Sequence, residues 1–475
     1  MRQRLKTLAG TALLLWGGPS PAGAPANALT VPAAYSQGGS ASAQGLEATA
    51  WWKTFGDATL DGLMTRAVQG SFTVQQAQAR ILQARASLGS AQAGQWPTVI
   101  AAADLDRSKV SPNSENTPTF ATTLYQAGFD ASWEVDLFGG QRKATEAARA
   151  RYQASVEDLR GAVLTLLGDV AGNYVTLRGE QAQLAITRQS AETQRQTVAI
   201  TEERCRLGLT SALDVAQAKA QLAATASGIP PLEASAKQSI HRLGILLGLN
   251  PTALMGELAE ASPIPSAQGG AATGLPAELL SRRPDLRRAE RNLAAAMADV
   301  GMAKADLYPK FDLTFGLGLM SLQTSNFASM SSRYWSIIPG LSLPVFNRGA
   351  LKAAVSQKEA VYQESLAAFR ASYQSALEDV ENALAGYSAE NGRRVDLEES
   401  LRQSQQAFEL AQERYRRGLT SFLDVLTTQS ALQAAQSSLS QSDALLLTDL
   451  ISLYKALGGG WDAVPVPPGH PLGHD

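Results

Sequence analysis

From Tyr125 to Leu137 apolar and polar side chains alternate without a break. Tyr125, Ala127, Phe129, Ala131, Trp133, Val135 and Leu137 share one face, and Gln126, Gly128, Asp130, Ser132, Glu134 and Asp136 share the other. A period of two over this length predicts a strand in a sheet with one apolar and one polar face. Residues 98–107 alternate in the same way, as do 311–319, and a fourth strand is predicted where Leu341, Leu343 and Val345 share a face. Polar loops at 108–119 and 321–332 connect these strands in pairs.

The rest of the chain has helical composition. A helix is predicted over 58–95, stopped by Trp96-Pro97, and a proline-free stretch rich in Ala, Arg, Glu, Gln and Leu then runs from 140 to 207. A continuous helix of about 68 residues would be ~100 Å long, far beyond what a globular core needs. The chain returns through 211–249, where Ile229-Pro230-Pro231 should kink the helix. After a Pro/Gly/Ala/Ser-rich linker at 251–276 the plan repeats: a helix over 279–306, a stop at Tyr308-Pro309, and a second long stretch over 349–417. Gly386, Asn391 and Gly392 predict an irregularity within that stretch, and a last helix spans 421–457. Residues 74–97 align with 286–309, and Phe346-Asn347-Arg348-Gly349 mirrors Phe138-Gly139-Gly140-Gln141 at the strand-to-helix corner. Each long helix has room for two shorter ones stacked end to end beside it.

The two halves share one sequence more closely than any other. Residues 203–215 read ERCRLGLTSALDV and 413–425 read ERYRRGLTSFLDV, ten of thirteen identical. Gly208 and Gly418 suit the left-handed position that ends a helix. Ser211 and Ser421 suit the N-cap of the next, with Asp214 and Asp424 completing an approximate capping box. Gly208-Leu209-Thr210-Ser211 and Gly418-Leu419-Thr420-Ser421 therefore read as the tips of two helical hairpins.

The formal net charge of -2 gives no electrostatic case for nucleic acid. Met1 to Lys6 is basic, Leu8 to Gly17 apolar, and Ala26-Asn27-Ala28 a small-residue cleavage site: a secretory signal peptide over 1–28. No later apolar run reaches the roughly 18 residues of a membrane helix. Cys205, aligned with Tyr415, rules out an intrachain disulfide and reads as a packing residue; no cysteine near the leader could carry a lipid. His241 has no second ligand one turn on, and His470 and His474 lie in a Gly/Pro tail. With no P-loop and no catalytic constellation, the expectation is a non-enzyme without cofactor or metal, driven by a partner.

Four strands cannot close a barrel, because the smallest membrane barrels have about eight. Their apolar faces nevertheless lack a neighbouring segment to cover them. Lipid outside and water inside satisfies both faces if several copies join; a sheet packed on helices is the alternative. The helices are too polar for a bilayer and would continue such a barrel as a tube, with the two turns at its far end.

Trp51-Trp52-Lys53-Thr54-Phe55-Gly56-Asp57, the paired tips, Ile229-Pro230-Pro231-Leu232-Glu233, Arg282-Arg283-Pro284-Asp285-Leu286 and Gly458-Gly459-Gly460-Trp461 occur in the order found in one family. The chain resembles the TolC/OprM-like outer membrane efflux proteins, most closely those serving resistance-nodulation-division (RND) pumps. The resemblance implies an α+β membrane protein: a homotrimeric 12-stranded β-barrel, four strands per chain, continued by a 12-helix periplasmic α-barrel, with an internal two-fold repeat. It divides the chain into an N-terminal extension (29–57), a first repeat (58–250), the linker (251–276), a second repeat (277–457) and a tail (458–475). The linker, the region 386–396 and the tail would form an equatorial belt. Many relatives in that subgroup carry a lipidated cysteine; this leader has none, so the barrel alone would hold the protein in the outer membrane.

The resemblance further implies an exit channel for small molecules, opened by a periplasmic adaptor and an inner-membrane RND transporter. Both four-residue turns would meet the adaptor, flanked by Arg204, Arg206, Arg414, Arg416 and Arg417, which could equally form a solvated basic face. Asp424 fits an inward-facing acidic ring at the closed entrance, with Asp214 lining or bracing it; simple helix capping is the alternative for each. Mutual repulsion in such a ring should raise the carboxyl pKa. Thr427 stands where some members carry a second acid. Two other readings are an outer-membrane channel for type I protein secretion and a soluble periplasmic coiled-coil scaffold.

Overall fold

The computed structural model describes residues 35, 50–109, 111, 113, 120–266 and 282–461. The signal peptide, residues 36–49 of the N-terminal extension, residues 267–276 of the linker and the tail histidines lie outside them.

A 3-10 turn at Trp51–Phe55 precedes α1 (Ala58–Gly70) and α2 (Phe72–Ala93). The single helix predicted over 58–95 breaks at Ser71, whose backbone is extended. The cause is a chain crossing: a Cβ on Gly70 would lie 2.4 Å from the Leu247 carbonyl oxygen, and Gly248 (φ +72°) lies as tightly against Gly70. Strands β1 (Thr98–Ser108) and β2 (Thr122–Val135) then lead into α3 (Gly140–Arg206), 67 residues without interruption. The return divides at Gly228 into α4 (Ala212–Ser227) and α5 (Ile229–Leu246). Pro230 and Pro231 thus open a helix instead of kinking one, because the first turn needs no amide donors there.

After α6 (Met255–Leu258) the second half repeats the first, with α7 (Pro284–Ala305), β3 (Lys310–Ser321), β4 (Arg333–Ser342), α8 (Arg348–Arg416) and α9 (Phe422–Ala456). The irregularity expected near Gly386, Asn391 and Gly392 is absent: α8 runs unbroken through all three. Gly386 instead admits α9, since a Cβ there would sit 3.4 Å from the Asp449 carboxylate.

The four strands form one antiparallel meander in the order β1-β2-β3-β4. Ala101, Phe129, Leu317 and Trp335 lie in one cross-strand row, as do Val99, Ala131, Phe315 and Ile337, so the apolar face is continuous. The opposite face carries Asp104, Gln126, Asp130, Glu134 and Asp312. β4 ends at Ser342, short of the Leu343 and Val345 positions assigned to it from sequence. Ser342 pairs with Lys310, the first residue of β3, so later residues have no strand beside them among the described residues.

Among the helices, α3 packs between α2, α4 and α5 on one flank and α7 and α9 on the other, whereas α8 packs mainly on α7 and α9. The burial follows: 24 residues of α3 are buried and nine of the 69-residue α8. The main core packs Trp51, Trp52, Phe55, Leu60, Leu63 and Met64 against Leu159, Val163, Leu167 and Tyr174 of α3.

Candidate functional site

Both hairpin tips end their long helix in the same way. Gly208 adopts φ +73° and Gly418 φ +76°, a region open to glycine at little cost. The amide of Gly208 donates to the Cys205 carbonyl (3.0 Å) and that of Leu209 to the Arg204 carbonyl (2.8 Å). Gly418 and Leu419 repeat this pair on Tyr415 (2.9 Å) and Arg414 (2.9 Å). Two otherwise orphaned helix-end carbonyls are satisfied at each tip. The leucine that follows is left outside: Leu209 is 61 % and Leu419 64 % exposed.

The next helix is capped by the predicted boxes, and aspartate completes them in full. Ser211 Oγ accepts from the Asp214 amide (3.2 Å), and Asp214 Oδ2 accepts from the Ser211 amide (3.1 Å). Thr210 Oγ1 also donates to Asp214 Oδ2. Ser421, Thr420 and Asp424 reproduce all of this. The Thr210 hydroxyl, aided by Ser211, holds the Asp214 carboxyl below the usual carboxylate range. Thr420 and Ser421, with the Arg414 charge adding to them, do the same for Asp424. Within one chain the shift therefore runs opposite to the repulsion expected of a ring. A depressed carboxyl stabilises the cap above its unfolded pKa of about 3.9 and loses that effect as pH falls through the folded value. Protection of the tip amides, measured relative to their intrinsic exchange rate at each pH, should therefore fall only in strongly acidic solution; a fall near neutrality would contradict the cap geometry.

The three positions at which the two tips differ make them unequal. Tyr415 and Phe422 pack ring to ring (5.8 Å between centroids) where the first tip has Cys205 and Ala212. They belong to a cluster with Val198, Ala218, Phe408 and Val425 that joins the ends of both hairpins. Arg204 crosses from the first hairpin to the second: its guanidinium lies 4.7 Å over the Tyr415 ring, and Nη1 donates to the Arg416 carbonyl (3.5 Å). Arg206 and Arg417 are held by Glu203 and Glu413 on their own helices. Arg204 is thus half-buried and tied to the second hairpin. Its replacement by Ala should loosen both tips together by about 1 kcal/mol, read as roughly fivefold faster amide exchange over Gly208–Asp214 and Gly418–Asp424. An effect confined to the first tip would contradict the bridge.

Far from the tips the short motifs converge. Asp57 caps α1 through the amides of Thr59 (2.8 Å) and Leu60 (3.1 Å) and accepts from the Tyr174 hydroxyl (2.5 Å). Burial and that bond push the Tyr174 hydroxyl up to about 12. Trp51 stacks on Tyr454 at 5.2 Å, and Gly460 (φ +98°) lies against the Trp51 ring. Trp461 donates to the Arg282 carbonyl (2.9 Å) and lies beneath the guanidinium of Arg160 (4.6 Å). Arg283, almost fully buried, bonds Asp285, Asp379 and the Ala456 carbonyl. Three motifs remote in sequence thereby clamp the N-terminal segment and both chain halves onto the middle of α3. The polar residues of this clamp are structural, and their separation in sequence concealed their contact.

An internally repeated chain of two long-helix hairpins joined to a four-stranded meander, with capped tips at its far end, defines a class. The profile of the family described as Outer membrane efflux protein matches residues 63–249 and 275–459, and the chain belongs to that family. Its similarity to individual members is spread along the whole length. It is 35 % identical over 460 residues to the pyoverdine export outer membrane protein OpmQ of Pseudomonas putida (strain KT2440), covering 95 % of this chain and 96 % of that protein. It is 32 % identical over 411 residues to the solvent efflux pump outer membrane protein SrpC of Pseudomonas putida, covering 86 % of each. The solved outer-membrane channel OprN superposes with a TM-score of 0.85 at 32 % identity, covering 92 % of this chain and 99 % of that one. The protein is thus an outer-membrane efflux protein.

Proposed function

We propose that three copies of this chain close a passive exit duct through the outer membrane, the final component of a tripartite efflux system. The observation that carries this reading is the sheet. Its apolar face leaves Phe129, Leu317, Trp335 and Ile337 exposed, and both of its edges, β1 and β4, lack a neighbouring strand among the described residues. Strands of 10 to 14 residues are long enough to cross a bilayer when tilted. Closure by two further copies gives lipid an apolar wall and water a polar lumen, and it covers the bare flank of α8. No helix among the described residues is long and apolar enough to cross a membrane; in this reading the helical part projects into the periplasm.

At the projecting end, the exposed Leu209 and Leu419 in their turns offer small apolar contacts to the hairpins of a periplasmic adaptor. Thr210, Ser211, Thr420 and Ser421 hold each turn in shape for it, together with Gly208 and Gly418. Asp424, assisted by Asp214, lines the closed entrance as a ring of carboxylates. Their second oxygens remain available to cations, since only Oδ2 is engaged in the cap. An inner-membrane RND transporter supplies the energy and hands over small molecules, and opening parts the hairpins that Arg204 ties together.

The test pairs assembly with docking. The protein extracted by detergent from outer membranes should have the mass of three chains. Leu209→Glu combined with Leu419→Glu should leave that mass unchanged and weaken adaptor binding by about tenfold or more. A monomeric extract, or docking unaffected by both charges, would count against the reading.

A further inference from the structure

Each of the four places where helix and strand meet carries one aromatic residue: Trp96 before β1, Phe138 after β2, Tyr308 before β3 and Phe346 after β4. The internal repeat sets Trp96 on Tyr308 and Phe138 on Phe346. Two of the four are already paired. Phe138 and Tyr308 stack nearly parallel, with centroids 4.7 Å apart and planes 14° apart, where the first repeat meets the second. The other two flank the sheet's open edges without a ring partner: Trp96 is 72 % exposed and Phe346 fully so.

We infer that Phe346 of one protomer stacks on Trp96 of the next, so that the seam between chains copies the seam between repeats. In a closed ring of repeats, the junction from the second repeat to the next chain's first must match the junction inside the chain. Two other observations follow this rule. Within the chain α7 packs on α3, and Gly301 lets the Lys143 stem approach to 3.1 Å of where a Cβ would sit. The residue aligned with Gly301 on α2 is Gly89, which gives α2 the same groove for α8 of a neighbour. The antiparallel ladder that sets Phe346 opposite Trp96 also sets Leu343 opposite Val99 and Leu341 opposite Ala101. Apolar faces then meet, and the residues beyond Ser342 gain the strand that β3 does not provide.

The inference rests on the proposed trimer and adds its seam. Aromatic rings at this level could alternatively anchor in lipid headgroups, each acting alone. Thiol cross-linking separates the cases. In a Cys205→Ser background, Trp96→Cys with Phe346→Cys should give covalent dimers and trimers on a denaturing gel after treatment with a short bismaleimide. Phe138→Cys with Tyr308→Cys calibrates the reach and should react only within the chain. An oligomer of normal mass without interchain products would overturn the seam and leave the trimer standing. A monomer in detergent from the Cys205→Ser parent would overturn both.

Should the double cysteine variant fail to assemble, Trp96→Ala and Phe346→Ala provide a second measurement. A stacked pair predicts that the double variant lowers the oligomer's heat-dissociation temperature no further than the worse single variant, whereas independent lipid anchors predict additive losses.

Discussion

Gly318→Ala is expected to prevent the sheet from assembling. Gly318 pairs directly with Gly128 across β2 and β3, and the backbones approach so closely there that neither position admits a side chain. A Cβ on Gly318 would lie 2.4 Å from the Ala127 carbonyl oxygen and 2.7 Å from Gly128 Cα. It would also lie 2.9 Å from Cε1 of Tyr334, whose ring crosses this glycine-lined face and whose hydroxyl accepts from Gln126 Nε2 (2.9 Å). Overpacking in a core costs about 1–3 kcal/mol when side chains can yield; here two of the three obstacles are backbone, so about 3 kcal/mol or more is expected. Gly340→Ala is the control: its Cβ would meet Asp312 at an ordinary 3.7 Å, and a strand ordinarily gains from losing a glycine. The yield of heat-modifiable oligomer from outer membranes should collapse for Gly318→Ala and persist for Gly340→Ala. Equal yields would contradict the close approach of the two strands.

Arg283→Ala should destabilise the middle of the molecule by about 2–4 kcal/mol. The guanidinium grips Asp285 through both oxygens (3.0 and 2.7 Å), reaches Asp379 at 3.0 Å and caps the Ala456 carbonyl at the end of α9 at 3.0 Å. Alanine leaves two carboxylates and a helix-end carbonyl without their donor. Lysine should not rescue the site, because a single ammonium cannot span three acceptors in the plane of the fork. The pH dependence separates this loss from a packing defect. Burial pushes the Asp285 carboxyl up, but the bonds and charge of Arg283 outweigh it and hold the carboxyl below its ordinary value. Its contribution is therefore complete above the unfolded carboxylate pKa of about 3.9 and disappears as pH falls through the folded value. Wild type should lose stability over that acidic window more steeply than Arg283→Ala. Parallel pH profiles would contradict the assignment.

The legibility of this fold depended on the reach of each signal. Alternation placed β1, β2 and β3 well, because their two faces meet different surroundings along most of their length. It overran β4, because Leu343 and Val345 continue the apolar face past the point where β3 can pair with them. Glycine was ambiguous: Gly208 and Gly418 end helices through their left-handed backbone, while Gly386 and Gly318 admit a neighbouring chain segment. Only the first use has a local signature. The tips were legible down to the capping hydrogen bonds, since a cap is built from adjacent residues. Arg204 over Tyr415 was not, because it joins residues 211 positions apart and arises where the two copies differ. Asp57, Arg283 and Trp461 were visible as motifs but not as one clamp for the same reason.

Conductance across a planar bilayer tests the proposed duct, closed at its second tip, most directly. Detergent-purified wild-type oligomer should give a small, cation-selective conductance that multivalent cations block. Asp424→Ala should conduct more and lose that block, because in the proposed trimer three carboxylates leave the narrowest point. No conductance from either protein, with the oligomer folded and inserted, would contradict the duct.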